Sequence, residues 1–356
     1  MEHRTPTRAL AAAIGLALLS SAGPVAAQFD RRERARVATR FLADRQREDG
    51  SISLFSPLGD TADAVAAMVL ARRGVRQIER AVGYLETHLD DATTVGLVAK
   101  VVLAAVSAGE DPRAFGGRDL VQEIHDAETA EGQLGGESDA EVTYHALAML
   151  ALSAAGEDPS EQNAAWLTAA QCADGGWQFD EPVSPTDDEH CRDSSGSDFA
   201  GSDTNTTSYA VQALRVAPGP DALHDPVEFL RSARDPFKKG LVYDPMQKCT
   251  EETLGEGCFL TDSNSTALGI QALIALEEPL PDRKIRALHR LQYPLCGRKG
   301  GGVAFTWEYD PATERFERQE PNVGSTIAAI PALLYHVFPL NHRTVTKPPP
   351  RRVPCS

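Results

Sequence analysis

The sequence is short of aromatic residues, with 12 Phe, 7 Tyr and 3 Trp among 356 positions. A cavity that holds a carbocation against aromatic faces therefore has little material to draw on. Basic residues are in deficit as well, 35 Lys and Arg against 51 Asp and Glu, which leaves a net charge of −16 at pH 7. Such a surface repels phosphates, so no nucleic-acid partner is expected. Long apolar runs are absent too. The run from Ala9 to Leu19 falls well short of the roughly 20 residues that a bilayer span needs, so no stable membrane insertion is expected once the leader is removed. None of the six cysteines shows C-x-x-C spacing, which counts against a zinc site built around Cys172, His190 and Cys191, and no cofactor is expected.

What is present begins with a leader. Arg4 and Arg8 precede the apolar run, and Val25-Ala26-Ala27 supplies small residues at the cleavage positions, the three-part pattern of a secretory signal peptide over residues 1–27. The expected location is secreted or extracytoplasmic. An exported chain with six cysteines, Cys172, Cys191, Cys249, Cys258, Cys296 and Cys355, reads as three disulfides. Six thiols permit 15 connectivities. The simplest joins sequence neighbours: Cys172–Cys191, Cys249–Cys258 and Cys296–Cys355.

A fixed pattern recurs downstream: Asp or Asn, Thr four positions later, Ala or Gly at seven, Leu at eleven. It occurs at Asp139-Thr143-Ala146-Leu150, Asp203-Thr207-Ala210-Leu214, Asp262-Thr266-Gly269-Leu273 and Asn322-Thr326-Ala329-Leu333. These spacings place every member on one stripe of an α-helix, with the acidic or amide residue as its N-cap. Segments around Asp60 and Asp91 read as degenerate earlier copies. A second, more amphipathic helix type alternates with the first, clearest at Phe41-Leu42-x3-Gln46-x2-Asp49-Gly50 and Trp166-Leu167-x3-Gln171-x2-Asp174-Gly175. Leu288 and Gln292 keep half of that register. A helix pair cannot bury both of its faces alone, so about six pairs must stack. The small-residue stripe and the absence of polar capping repeats favour a closed ring over an open superhelix. The expected architecture is an all-α (α/α)6 toroid over residues 28–340. Pro331 should kink the last inner helix, and residues 341–356, with Lys347-Pro348-Pro349-Pro350-Arg351-Arg352, form a tail.

The segment Trp166-Leu167-Thr168-Ala169-Ala170-Gln171-Cys172-Ala173-Asp174-Gly175-Gly176-Trp177 resembles the Gln–Trp repeat of squalene and terpenoid cyclases. With the helix from Ser202-Asp203 to Leu214 behind it, the chain is similar to the α/α-toroid superfamily of those cyclases, protein prenyltransferase β subunits, complement thioester domains and vitamin B12 carriers. The helix at Asp262-Ser263-Asn264-Ser265-Thr266-Ala267 is similar to repeats of secreted B12-carrier-like toroids. The resemblance implies the fold over about residues 30–340, but the signatures of the enzymes are missing. Class II cyclases use Asp-x-Asp-Asp, whereas His88-Leu89-Asp90-Asp91 and Pro185-Thr186-Asp187-Asp188 both lack the first Asp. Prenyltransferases use Asp-x-Cys with a distant His. Tyr144-His145 is similar to the His end of that pattern, no Asp-x-Cys exists, and His145 reads as a helix residue facing a neighbour. Cys296-Gly297-Arg298-Lys299 breaks the thioester motif, and the second domain of the B12 carriers has no counterpart before Ser356.

Two features remain as candidates. Residues 180–203 carry eight acidic side chains against Arg192, an oxygen-rich loop that reads as a solvated face before it reads as a calcium site. In a closed ring, Asp139, Asp203, Asp262 and Asn322 would encircle one mouth as caps, with Trp177, Tyr209 and Trp307 as apolar walls around a pocket. The sequons at Asn205 and Asn264 fall in helix starts, where the motif is incidental. The expected function is that of an extracellular binding or interaction module for a small apolar ligand or an extracellular protein. The alternatives are a cyclase- or prenyltransferase-type enzyme whose active site has moved off the family motif, and a cobalamin-carrier-like binder.

Overall fold

The computed structural model describes residues 22–135, 142–179, 191, 201–219, 224–279, 282–351 and 354. Six helices built largely from small and apolar residues are buried along most of their length: α2 (Pro57–Leu70), α4 (Val95–Ala108), α6 (Val142–Ala154), α8 (Thr204–Leu214), α10 (Ser263–Ala275) and α12 (Val323–Leu334). A helix without a solvated face must be enclosed on all sides, and each of these packs on the next in the order α2, α4, α6, α8, α10, α12 and back to α2. The inner ring is closed. Small residues set its spacing. A Cβ on Gly96 in α4 would lie 2.3 Å from the Tyr144 ring of α6, so any side chain there would drive the two helices apart.

The outer helices are α1 (Ala22–Ala43), α3 (Val75–Thr87), α5 (Leu120–Asp126), α7 (Glu161–Ala169), α9 (Pro226–Ser232) and α11 (Asp282–Leu291). In α3, Ile78, Ala81, Val82 and Leu85 are buried while Arg76, Glu79, Arg80 and Glu86 face water, the one-sided stripe of a helix covering a core. α5 and α9 have two turns each and are too short to persist alone; packing on the ring holds them. The (α/α)6 toroid expected from the repeat is thus the observed fold.

Five of the crossovers from an outer to an inner helix share one device. A loop residue just after a glycine gives its backbone N–H to a side chain in the first turns of the inner helix. Ile52 donates to Thr61 Oγ1 (3.0 Å), Trp177 to Thr207 Oγ1 (3.0 Å), Leu241 to Thr266 Oγ1 (3.0 Å) and Val303 to Thr326 Oγ1 (2.9 Å). In α6 the acceptor is His145 Nδ1, which takes the Leu134 N–H at 2.8 Å. Thr143, the residue chosen by the sequence pattern, instead meets Thr206 Oγ1 of α8 at 2.8 Å. The functional register of α6 therefore runs two residues later than the pattern predicts. Two of these loops pair with the cap residue ahead as short antiparallel strands. β1 (Trp177–Gln178) sets Trp177 opposite Asp203 of β2 (Ser202–Asp203), and β3 (Val303–Ala304) sets Val303 opposite Asn322 of β6 (Pro321–Asn322). The remaining ladder is a hairpin of β4 (Trp307–Asp310) and β5 (Arg315–Arg318).

The outer ring is joined by glutamines. Gln46 Nε2 donates to Gly50 O and to Gln77 O of α3, both at 2.8 Å. Gln171 Nε2 donates to Gly175 O and His224 O, both at 3.0 Å, and its Oε1 accepts the His224 N–H ahead of α9. Gln292 closes the circle by donating to Gly301 O (2.9 Å) and to Arg34 O of α1 (3.0 Å) across 258 positions of sequence. Gly302 then lies so close to α1 that a Cβ would fall 2.3 Å from the Phe41 ring.

Cys172–Cys191 and Cys249–Cys258 are bonded, with Cα separations of 5.5 and 4.9 Å. Cys296 is also in a disulfide, and its expected partner Cys355 lies outside the described residues. These bonds belong to an oxidising, extracytoplasmic compartment. Residues 1–21 of the expected leader lie outside the described residues, and no helix among the described residues is long and apolar enough to cross a membrane. α12 continues for three residues past Pro331 and is not broken there. The segment after it crosses the C-terminal ends of the inner helices. Gln212 Oε1 accepts the Phe338 N–H at 2.9 Å, Ser107 Oγ donates to Leu340 O at 3.1 Å, and Lys347 O accepts the N–H of Gly74 at 2.8 Å.

Gln292→Ala removes bonds to buried backbone carbonyls at the seam and should cost about 2 kcal/mol. Urea denaturation checks the size, and hydrogen exchange should rise first in α1 and in residues 301–303.

Candidate ligand cavity

The closed ring encloses a cavity of about 670 Å³ to which all six inner helices contribute. Phe338 and Leu340 from the C-terminal segment line its lower end, where the Tyr209 and Phe338 rings meet at 6.0 Å. At the N-terminal ends of the helices it opens among Leu54, Phe55, Phe179 and Phe305, which are 40%, 88%, 38% and 40% exposed. The walls between are largely apolar, with Ala66, Ala67, Leu268, Ile327, Ala328 and Pro331 among them. Six aromatic side chains reach the cavity: Phe55, Phe179, Tyr209, Tyr243, Phe305 and Phe338. A chain poor in aromatics has thus concentrated them here, contrary to what composition alone suggested.

Among the polar groups, Asp60 is bound into its own loop. Its Oδ2 accepts the N–H groups of Leu54 (2.7 Å), Phe55 (2.8 Å) and Ser56 (3.1 Å), which fixes the loop carrying the Leu54 and Phe55 side chains. Deeper in, Lys100 of α4 donates to Asp63 Oδ2 of α2 at 2.8 Å. Burial pushes the Asp63 carboxyl above its usual range although Lys100 pulls it down. Burial works against the Lys100 ammonium, yet the Asp63 carboxylate holds it above the usual lysine value. Tyr209 faces the same pair, and burial raises its phenol to about 12.

Asp203 heads α8 with its side chain fully buried. Oδ1 caps the helix, accepting the N–H of Asn205 and of Thr206, both at 2.8 Å. Oδ2 has no partner among the described residues, and the same holds for Asn205 Oδ1 and Gln271 Oε1 on the cavity wall. Burial pushes the Asp203 carboxyl up to about 7, the capping bonds pull it down only in part, and Asp244 nearby raises it further. Asp262 caps α10 by accepting the Ser265 N–H at 2.8 Å, and burial raises it to about 6. It is not among the residues lining the cavity.

Of the rim and wall residues singled out from sequence, Asp203, Tyr209 and Asn322 line the cavity. Trp177 does not: it is fully buried behind the wall, its Nε1 donating to Leu167 O at 2.7 Å, and it works as the wedge that seats the start of α8. Trp307 lies on the β4–β5 hairpin with the Lys238 ammonium 4.5 Å from its ring centre, again away from the cavity lining. Asp139 and nearly all of the acidic 180–203 loop lie outside the described residues. No cluster of three or more metal-ligating side chains occurs among the described residues. Asp90 and Asp91 of the partial cyclase motif are exposed on a 3-10 turn. His145 is fully buried. Nδ1 accepts from Leu134, Nε2 donates to Asn163 O at 3.0 Å, and burial lowers it to about 4, so it is a neutral structural residue as read from sequence. Sequence reasoning missed the Asp63–Lys100 pair. Its signal was Lys100 as the one charged residue in α4, an otherwise apolar helix.

No family model and no curated protein matches the sequence. The fold does match solved structures. A type II terpene cyclase variant from Scytonema, in complex with merosterolic acid A, is 12% identical, with 87% of this chain and 98% of that one covered and a TM-score of 0.56. The GH76A α-1,6-mannanase of Salegentibacter gives 11% identity, 86% and 98% coverage and a TM-score of 0.53. An unsaturated glucuronyl hydrolase from Streptococcus agalactiae gives 12%, 87% and 92%, and 0.56. At these identities the likeness is one of fold.

Lys100→Met strands the Asp63 carboxylate in an apolar setting and should cost about 3 kcal/mol at pH 8, with a deficit that shrinks as pH falls and the raised Asp63 carboxyl takes up a proton. Asp63→Leu/Lys100→Met should recover most of the loss in urea titrations. Because Asp203 and Asp262 are raised in the folded state, their contribution to stability is complete below pH 4 and is lost as pH rises through about 6 and 7. Wild-type urea midpoints should therefore fall between pH 5 and pH 8.5, and Asp203→Asn with Asp262→Asn should flatten that fall.

Proposed function

We propose that this chain is an exported binding protein that holds one elongated, largely apolar small molecule in its central cavity. The observation that carries the reading is an apolar-walled cavity of about 670 Å³ within the ring, bordered by exposed apolar side chains. Sites for small molecules span roughly 300–1,000 Å³ and combine apolar walls with a few placed polar groups. Leu54, Phe55, Phe179 and Phe305 form an apolar collar that a ligand leaving water meets first. Disulfide bonding supports export, with residues 1–27 as the signal peptide. The Scytonema cyclase offers a precedent for an isoprenoid-bearing ligand in this fold, since a related structure of it holds geranylgeranyl dihydroxybenzoate.

A second reading, an enzyme with its acid off the cyclase motif, is favoured by the six aromatics gathered around a buried carboxyl at Asp203. The two readings part on the fate of the ligand: a carrier releases what it took up, an enzyme releases something altered.

Native mass spectrometry of the exported protein should show one retained apolar molecule per chain. Ala328→Trp, which fills the cavity from α12, should weaken binding of the hydrocarbon dye diphenylhexatriene by about tenfold or more while the helical circular dichroism stays unchanged. Undiminished dye binding by that variant would place the site elsewhere.

A further inference from the structure

Helix capping explains only half of the Asp203 carboxyl. Oδ1 takes both capping N–H groups, the Thr206 hydroxyl acts on the same carboxyl, and Oδ2 is left fully buried with no hydrogen-bond partner among the described residues, on a residue that lines the cavity. The other described inner helices show that a cap needs no acid here. Ser56, Thr94 and Asn322 head α2, α4 and α12 with neutral side chains. Asp262 is the other acidic cap, and it does not line the cavity. An unmet buried polar atom is costly, so its retention at the wall of a ligand cavity points to a partner that arrives with the ligand.

Resting on the binding reading above, we infer that Asp203 is the polar docking point of the cavity. Its Oδ2 carries the proton and donates a hydrogen bond to a carbonyl or carboxyl oxygen at one end of an otherwise apolar ligand. The ligand class is thus an oxygen-headed long-chain molecule, such as a fatty or isoprenoid acid, ester or ketone, rather than a bare hydrocarbon or an amine. Protonation near neutral pH fits the surroundings. Burial raises the carboxyl to about 7, and among the described residues the groups on the packed elements add no cation beside it. These groups are Asp244 on the 241–244 segment, Asp262 at the head of α10, the neutral His145 of α6 and Asp174, which accepts from Ser202 Oγ at 3.0 Å. Lys100, elsewhere on the cavity wall, is bonded to Asp63. Once ionised, Asp203 offers only acceptors and turns an acceptor oxygen away.

The test uses the full exported chain and two fluorescent probes, methyl cis-parinarate, which carries a non-titrating ester oxygen, and diphenylhexatriene, which carries none. For wild type, ester affinity should fall about tenfold from pH 5.5 to pH 8.5, and dye affinity should change far less. Asp203→Asn keeps both the cap and an N–H donor, so it should bind the ester equally at the two pH values, near the wild-type strength at pH 5.5. Asp203→Gly keeps a tolerated helix start but withdraws the side-chain donor, and should lose the preference for the ester at both. If wild-type ester binding does not vary with pH, or Asp203→Asn falls alongside it, the assignment is wrong while dye binding still upholds the cavity. If neither probe binds at either pH, the binding reading fails and this assignment falls with it.

Discussion

The structure depends on one short hydrogen bond repeated around the ring, from the N–H of a loop residue to a side chain one turn inside the next inner helix. Thr61, His145, Thr207, Thr266 and Thr326 supply the acceptors. Each bond returns the chain from the outer layer to the inner at a fixed depth. Where the loop also pairs with the cap residue, as Trp177 does with Asp203, it sets the direction in which the cap side chain leaves the backbone. A buried loop N–H without this acceptor would be unpaired, so five crossovers are held to one geometry by the cost of an unmet donor. The cavity mouth is a consequence of that geometry.

Within the ring, polar groups divide by depth and by satisfaction. Asp60 is saturated by its own loop, and the Asp63–Lys100 pair is satisfied across two helices. Asp203 alone among these carboxyls has a fully buried oxygen left without a partner. Burial in this wall raises that carboxyl to about 7, through the same low-polarity surroundings that give the cavity its apolar lining.

The periodicity of four, three and four made the inner helices legible, because a small-residue stripe is visible in any alignment of the chain with itself. Asp203, Asp262 and Asn322 were read correctly as caps for the same reason. Which of them faces a cavity was not legible, because that depends on how far each helix is turned about its axis, and side-chain spacing leaves the turn open. The shift in α6 arose where His145 takes the threonine's place: a pattern written in residue types misses an acceptor of a different chemical kind. Trp177 resembled a wall residue because it is large and near the rim, yet its indole N–H is spent on Leu167. Phe338 and Leu340 were hidden more deeply, as they belong to no repeat.

The floor is not made by the palisade that encloses it. Phe338 and Leu340 arrive on a separate strap after α12, tied to the ring through Gln212 and Ser107. Girth and depth are therefore under separate control. The barrel's width is locked by glycine and alanine contacts that tolerate almost no change, while its length can be retuned by replacing a few side chains on the strap. Over evolutionary time, such a vessel can accept longer or shorter cargo without rebuilding its walls.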